Sequence, residues 1–123
     1  MTILIVDDDS AHSLILKEVL ARQTTHRILI AERTVQALNL IKAVEIDLLI
    51  TNYEMPENTG DWLIEQVRAL KGPQLPILLI SATSTLQLDQ ALKWGASSFL
   101  KKPVHPAEFI KVLNDLLTMP KIH

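Results

Sequence analysis

Five short, almost continuously apolar runs recur along this chain, and each is followed by a segment with helical spacing. The runs are Ile3–Val6, Ile28–Ala31, Leu48–Thr51, Ile77–Ile80 and Ser98–Leu100. Apolar residues that do not alternate with polar ones indicate strands covered on both faces. Strands that alternate with helices favour a mostly parallel sheet with right-handed crossovers. The sequence therefore predicts an α/β fold of the (βα)5 type, a doubly wound parallel sheet with five strands.

The segments that follow the runs carry the apolar stripes typical of amphipathic helices. The last has the clearest stripe: Phe109, Val112, Leu113, Leu116 and Leu117. The earlier segments carry Leu14, Ile15 and Val19, then Val35, Leu38 and Ile41, then Leu63, Val67 and Leu70, then Leu88, Ala91 and Leu92. Residues that commonly start or stop helices mark the boundaries: Ser10, Thr34, Gly60, Gly72, Gly95 and Pro106.

Length and charge limit the classes of protein to consider. A chain of 123 residues predicts one domain, here 1–119, followed by a C-terminal tail at 120–123. The net charge of -2 and the lack of a basic run argue against direct binding to nucleic acid or an anionic membrane. No apolar segment approaches the roughly 20 residues that span a bilayer. The absence of cysteine excludes disulfides and fits a cytoplasmic location.

Polar residues follow the predicted strands where their carboxyl ends would meet. Three acids, Asp7–Asp9, follow the first strand, Asn52 ends the third, Ser81 ends the fourth, and Lys101–Lys102 end the fifth. Ligands of open parallel sheets bind outside this edge. An acid cluster, a hydroxyl and a lysine around one central residue are the components of a phosphoryl-transfer pocket.

These residues resemble those of the response-regulator receiver domain, the CheY-like module of two-component phosphorelay signalling. The likeness extends from about Thr2 to Leu117 and rests on four motifs in order: "VDDD", "MPENTG", "SA" and "KP". Each motif alone is weak, but each follows a predicted strand. The resemblance implies a flavodoxin-like fold with strand order 2-1-3-4-5.

The resemblance also implies a metal site. Asp7 and Asp8 match the acid pair that helps hold Mg²⁺, and the backbone of Glu54 matches a further ligand. Residue 52 is the position at which the family has an aspartate that accepts a phosphoryl group. Mg²⁺ fits such a site because it takes few carboxylates and keeps its waters and phosphate oxygens.

Three more residues match the family's switch. Ser81 matches the hydroxyl that follows the phosphoryl oxygens, and Lys102 matches the cation that pairs with them. Phe99 matches the aromatic residue whose rotamer reports phosphorylation. The resemblance further implies a cis peptide bond between Lys102 and Pro103, which would aim Lys102 into the pocket.

Asn52 departs from the family pattern at the central position. A carboxylate attacks phosphorus because it is charged, whereas a carboxamide is neutral and its nitrogen lone pair is delocalised. We therefore expect no aspartyl phosphorylation here and only weak Mg²⁺ binding by Asp7, Asp8, Asn52 and Glu54. Two explanations remain open: a natural degenerate receiver, or an ordinary receiver locked by an Asp→Asn exchange.

Several neighbouring residues have plainer interpretations. Asp9 suits an N-cap of the first helix better than a metal ligand, and Lys101 suits a solvated position beside Lys102. Trp62 and Trp94 are interpreted as packing residues. The four histidines show no ligand spacing and are predicted at the surface: His12, His26, His105 and His123.

The resemblance implies a signalling module and not an enzyme. Its partner would be a histidine kinase, an output protein or a second receiver, with a homodimer among the options. The predicted binding face combines the fourth helix, the fifth strand and the fifth helix. A distant alternative is a haloacid dehalogenase-type phosphatase using Asp7, Asp9, Ser81 and Lys102. That motif also needs Thr or Val at position 11, where this chain has Ala11.

Overall fold

The computed structural model describes residues 1–23 and 26–118 of the chain. Its strands are β1 (Thr2–Val6), β2 (Arg27–Ala31), β3 (Leu48–Asn52), β4 (Ile77–Ser81) and β5 (Ser98–Lys101). Its helices are α1 (Ser10–Gln23), α2 (Thr34–Ala43), α3 (Gly60–Lys71), α4 (Leu88–Trp94) and α5 (Pro106–Thr118). The predicted strands are confirmed. The predicted tail 120–123, with His123, lies outside the described residues, as does residue 119.

All neighbouring strands are parallel, and their order is β2-β1-β3-β4-β5. The predicted fold class and strand order are therefore confirmed. The pairing brings the carboxyl ends together: Val6 pairs with Thr51, Asn52 with Ile80, and Ser81 with Lys101. Strand β2 pairs with one side of β1, and β3 pairs with the opposite side of β1. This change of direction creates the crevice in which such folds bind their ligands.

Two apolar layers cover the sheet because successive strand residues point to opposite faces. One layer joins alternate strand residues to α1 and α5, through Leu16, Leu20, Phe109, Leu113 and Leu116. The other joins the remaining strand residues to α2, α3 and α4, through Ala37, Ile41, Leu63, Ile64, Val67 and Ala91. The central strands β3 and β4 are buried at every position and β1 at all but its first, which explains why these strands are almost continuously apolar.

The sheet buries only part of each apolar stripe. In α1, Leu14 and Ile15 are 53% and 56% exposed, whereas Leu16 and Leu20 are buried. The same holds for other stripe members, of which four are each 48% exposed: Val35, Leu70, Leu88 and Leu92. Helical spacing located these helices correctly, but it did not tell which of several apolar flanks packs on the sheet.

Local signals explain where the helices begin and end. The Asp9 carboxylate accepts hydrogen bonds from the backbone N–H of Ala11 and His12, at 3.0 and 3.3 Å. The predicted N-cap is confirmed, because these N–H groups have no partner inside the helix. Helix α4 ends at Gly95, whose φ of 109° favours glycine. No helix among the described residues is long and apolar enough to cross a membrane.

Candidate functional site

The carboxyl edge of the sheet gathers the predicted site residues, but it buries them unequally. Asp7, Asn52 and Ser81 end neighbouring strands or directly follow them, and they are 2%, 5% and 0% exposed. Asp8 is exposed and Lys102 is half-buried. The pocket therefore has a buried polar floor formed by three side chains.

Asp7 already has partners inside the protein. Its Oδ1 accepts the backbone N–H of Asp9 at 2.9 Å. Its Oδ2 lies 2.5 Å from Nδ1 of His12, which must donate because a carboxylate only accepts. The prediction of His12 as a surface residue is wrong, because its side chain is only 18% exposed. The first turn of α1 brings residue 12 back over the end of β1.

Asn52 contacts the loop that follows it. Its Nδ2 donates to the backbone carbonyl of Glu54 at 2.8 Å. Its Oδ1 is buried and has no hydrogen-bond partner among the described residues. Burying an amide oxygen without a partner costs about 1–3 kcal/mol. Asn52 thus keeps one buried acceptor without a partner and uses its donor to hold the backbone of Glu54.

The sequence did not reveal a role for the Glu54 side chain, because only the backbone of Glu54 was predicted to act, as a metal ligand. Its carboxylate accepts from the Ser81 hydroxyl at 2.6 Å and from the Ala82 N–H at 2.7 Å. The Thr83 hydroxyl lies 3.3 Å from the same carboxylate. The sequence signal was an acid two residues after position 52, but the contact joins residues 27 positions apart.

Lys102 directly follows β5, at the carboxyl edge of the sheet. The Lys102–Pro103 peptide bond is cis, which confirms that prediction. Among the described residues no acid lies within 4.0 Å of the Lys102 ammonium, since the ion pairs are His12–Asp7 and Arg33–Glu57. The role implied for Lys102, pairing with phosphoryl oxygens, stays a prediction, and in this structure it is His12 that contacts Asp7.

Three aromatic residues pack against the protein interior, whereas Lys101 is exposed. Phe99, Trp62 and Trp94 are partly buried and pack against the layer formed with α2, α3 and α4. The rings of Trp94 and Tyr53 stack with centroids 5.4 Å apart. Packing roles for both tryptophans are confirmed. Lys101 is exposed, as predicted, and its ammonium donates to the backbone carbonyl of Ser84 at 3.2 Å.

Two of the predicted Mg²⁺ ligands already have hydrogen-bond partners within the protein. One Asp7 oxygen bonds His12, and the Glu54 carbonyl accepts from Asn52. Each of these oxygens keeps a second lone pair, and the exposed Asp8 and the unpartnered Oδ1 of Asn52 lie at the same edge of the sheet. No cluster of three His, Cys, Asp or Glu residues suited to a metal exists in the described part of the chain. Mg²⁺ bound through the Oδ2 atom of Asp7 would compete with His12 for that oxygen.

Comparison with known proteins identifies the module. The family profile of the response regulator receiver domain matches residues 3–114. The chain belongs to the response regulator receiver domain family. The resemblance drawn from the strand-end motifs is thus confirmed at the level of the family. The family assignment also rejects the haloacid dehalogenase alternative.

Individual relatives support the same assignment. A chemotaxis protein CheY homolog from Campylobacter jejuni is 34% identical over 120 residues, covering 95% of this chain and 92% of its own length. The transcriptional regulatory protein ZraR of Escherichia coli is 34% identical over 103 residues, which are 83% of this chain and 23% of ZraR. The non-phosphorylated HemR receiver domain from Leptospira biflexa superposes with a TM-score of 0.86 at 29% identity, covering 99% of this chain and 98% of that one.

Membership in the receiver domain family gives the general function of this chain. This is a receiver domain of two-component signal transduction. Receiver domains are signalling domains that interact with proteins such as kinases and output domains. At the carboxyl edge of this domain, the structure shows hydrogen bonds from Asn52 to Glu54, between His12 and Asp7, and from Ser81 to Glu54.

Proposed function

We propose that this receiver domain accepts no phosphoryl group at residue 52 and signals by binding a protein partner. The observation that carries the proposal is the hydrogen bond from Asn52 Nδ2 to the Glu54 carbonyl. An amide nitrogen that donates has no free electron pair to attack phosphorus. The remaining oxygen belongs to a neutral amide, which cannot form the acyl phosphate that a carboxylate forms.

The surroundings of Asn52 support this proposal over an ordinary receiver locked by one exchange. Besides residue 52, Asp7 is engaged by His12, and Ser81 is engaged by Glu54. Each of these contacts occupies a group that a phosphoryl group or Mg²⁺ would need. A single Asp→Asn exchange changes only one of the three groups.

The proposed binding face is formed by α4, β5 and α5. Leu88 and Leu92 on α4 are each 48% exposed, although apolar side chains of this size are usually buried. Lys93 on α4 and Lys111 on α5 are exposed basic residues. Apolar side chains beside basic ones suit a protein partner with an apolar centre and acidic rim. A histidine kinase, an output protein or a second receiver fits this description.

Intact-mass analysis after treatment with acetyl phosphate and Mg²⁺ tests the acceptor. We expect no stable phosphoryl adduct on residue 52, and an adduct mapped there would refute the proposal. The Asn52→Asp variant distinguishes a naturally degenerate receiver from an ordinary receiver locked by one Asp→Asn exchange. A simple lock is reversed by Asn52→Asp alone, whereas the engaged pocket requires Asn52→Asp together with Glu54→Ala.

Charge reversal tests the face. Lys93→Glu, Lys111→Glu and Asp115→Lys are compared in pull-downs from the native host, with Lys17→Glu on α1 as the exposed control. We expect Lys93→Glu and Lys111→Glu to lose the partner that the control retains, whereas Asp115→Lys, which adds positive charge opposite an acidic rim, should retain it. If only substitutions of Asp7 or Asp8 lose the partner, then the binding face is the edge of the pocket.

A further inference from the structure

Three donors at the end of β4 converge on one carboxylate. The Ser81 hydroxyl and the Ala82 N–H each bond a different oxygen of Glu54, at 2.6 and 2.7 Å. The Thr83 hydroxyl contacts the same oxygen as Ser81, at 3.3 Å. We call Ser81, Ala82 and Thr83 the β4 cradle. Its geometry is that of an oxyanion site, with two hydroxyls and one backbone amide directed at a single negative group.

Hydrogen bonds within the β4 cradle orient the Ser81 hydroxyl as a donor to Glu54. The Ser81 oxygen accepts the backbone N–H of Thr83 at 2.9 Å, which leaves the Ser81 hydrogen to point at Glu54. Ser81 is fully buried, so its hydroxyl has no solvent to bond in exchange. Losing the carboxylate would leave a buried donor without a partner, which is more costly than losing an exposed hydrogen bond.

Asn52 positions Glu54 for this contact. Its amide holds the Glu54 carbonyl at 2.8 Å, and this fixes the loop from which the Glu54 side chain reaches toward β4. An aspartate at position 52 has no N–H to donate. It would also add a negative charge near the Glu54 carboxylate, and like charges repel. The amide at 52 and the acid at 54 therefore form a matched pair.

We propose that the Glu54 carboxylate is a built-in ligand of the β4 cradle and holds the β4–α4 loop closed without phosphate. The inference rests on the proposed function, because a resident anion replaces the phosphoryl group as the partner of Ser81. The cradle takes an external oxyanion such as inorganic phosphate only when Glu54 is removed. Signalling input then has to move Glu54, so a partner bound at the face formed by α4, β5 and α5 acts by shifting the β4–α4 loop that adjoins α4.

Amide hydrogen exchange by NMR, in EDTA and without a phosphodonor, tests this contact. In Glu54→Ala we expect the Ala82 amide to exchange about 10- to 100-fold faster, the range for losing a hydrogen bond to a charged group. Glu54→Gln keeps the volume and one acceptor, so we expect a smaller increase. Asn52→Asp keeps Glu54 but loses its positioning, and it should also increase exchange. Glu57→Gln is the control, since Glu57 lies on the same loop and pairs with Arg33.

Titration with inorganic phosphate adds a second readout. We expect the amide resonances of Ala82 and Thr83 to shift in Glu54→Ala and to stay unchanged in the unaltered chain. Unchanged Ala82 exchange in both Glu54 variants would overturn the inference, as would equal phosphate shifts with and without Glu54. Failure here is separate from failure of the proposed function, which a phosphoryl adduct on residue 52 decides.

Discussion

Arg68 connects three segments of the fold through one guanidinium group, and replacing it gives a sharp test of the structure. Its Nε donates to the Gly95 carbonyl at 2.8 Å, at the end of α4. One of its terminal nitrogens donates to the carbonyls of Gly72 and Leu75, at 3.0 and 2.7 Å. These bonds join the end of α3 to the approach to β4 and to the end of α4. Burial lowers the pKa of the guanidinium because it removes water from the charged group. The cost of that desolvation offsets part of the stability that the three hydrogen bonds contribute.

The cost of Arg68→Met follows from these bonds. A hydrogen bond to a charged group contributes about 1.5–3 kcal/mol, and less where water replaces the donor. Leu75 is buried, whereas Gly72 and Gly95 are half-buried and their carbonyls can be rehydrated. One bond at full value and two at reduced value predict a loss of about 3 kcal/mol in the free energy of unfolding. Methionine retains most of the aliphatic packing, so the loss reports the polar contacts.

Urea unfolding followed by circular dichroism measures this loss. A change of about 3 kcal/mol corresponds to a melting temperature lower by roughly 10 °C in a domain of this size. Arg68→Lys keeps the charge without the planar fork and should lose about half as much. Arg22→Met is the control, because Arg22 is exposed on α1, and we expect a change below about 0.5 kcal/mol. A loss below about 1 kcal/mol for Arg68→Met would refute the assigned role.

Two further predictions concern the site. Gly60→Ala places a Cβ 2.6 Å from the Asn52 carbonyl oxygen. We therefore expect the free energy of unfolding, measured in urea, to fall by about 2–3 kcal/mol, as for overpacked cores. A fall below about 0.5 kcal/mol would mean that the backbone around Gly60 shifts without cost. In calorimetry we expect weak Mg²⁺ binding, raised about tenfold by Asn52→Asp through the added charge. His12→Ala, which frees an Asp7 oxygen, should raise it as well, with His105→Ala as the exposed control. Equal affinity in all four proteins would contradict the description of the donors.

The sequence by itself determined the fold. The strands could be located because helices cover both faces of the sheet, which favours nearly continuous apolar runs in its strands. Asp9, Gly95 and Pro106 marked helix ends because capping and backbone conformation are local effects. The motifs at the strand ends then placed Asp7, Asn52 and Ser81 at one edge, since parallel strands bring their carboxyl ends together.

Only the tertiary structure decided which partners those residues take. Helical spacing did not reveal that Leu16 and not Leu14 packs on the sheet, because α1 is apolar on more than one side. It also did not reveal that His12 bonds Asp7 or that Glu54 bonds Ser81. A side chain's reach depends on the path of its loop and on the distance between chain segments. Spacing along the chain indicates which side chains are neighbours within one helix or strand. It does not indicate which side chains meet when two loops come together at the edge of a sheet.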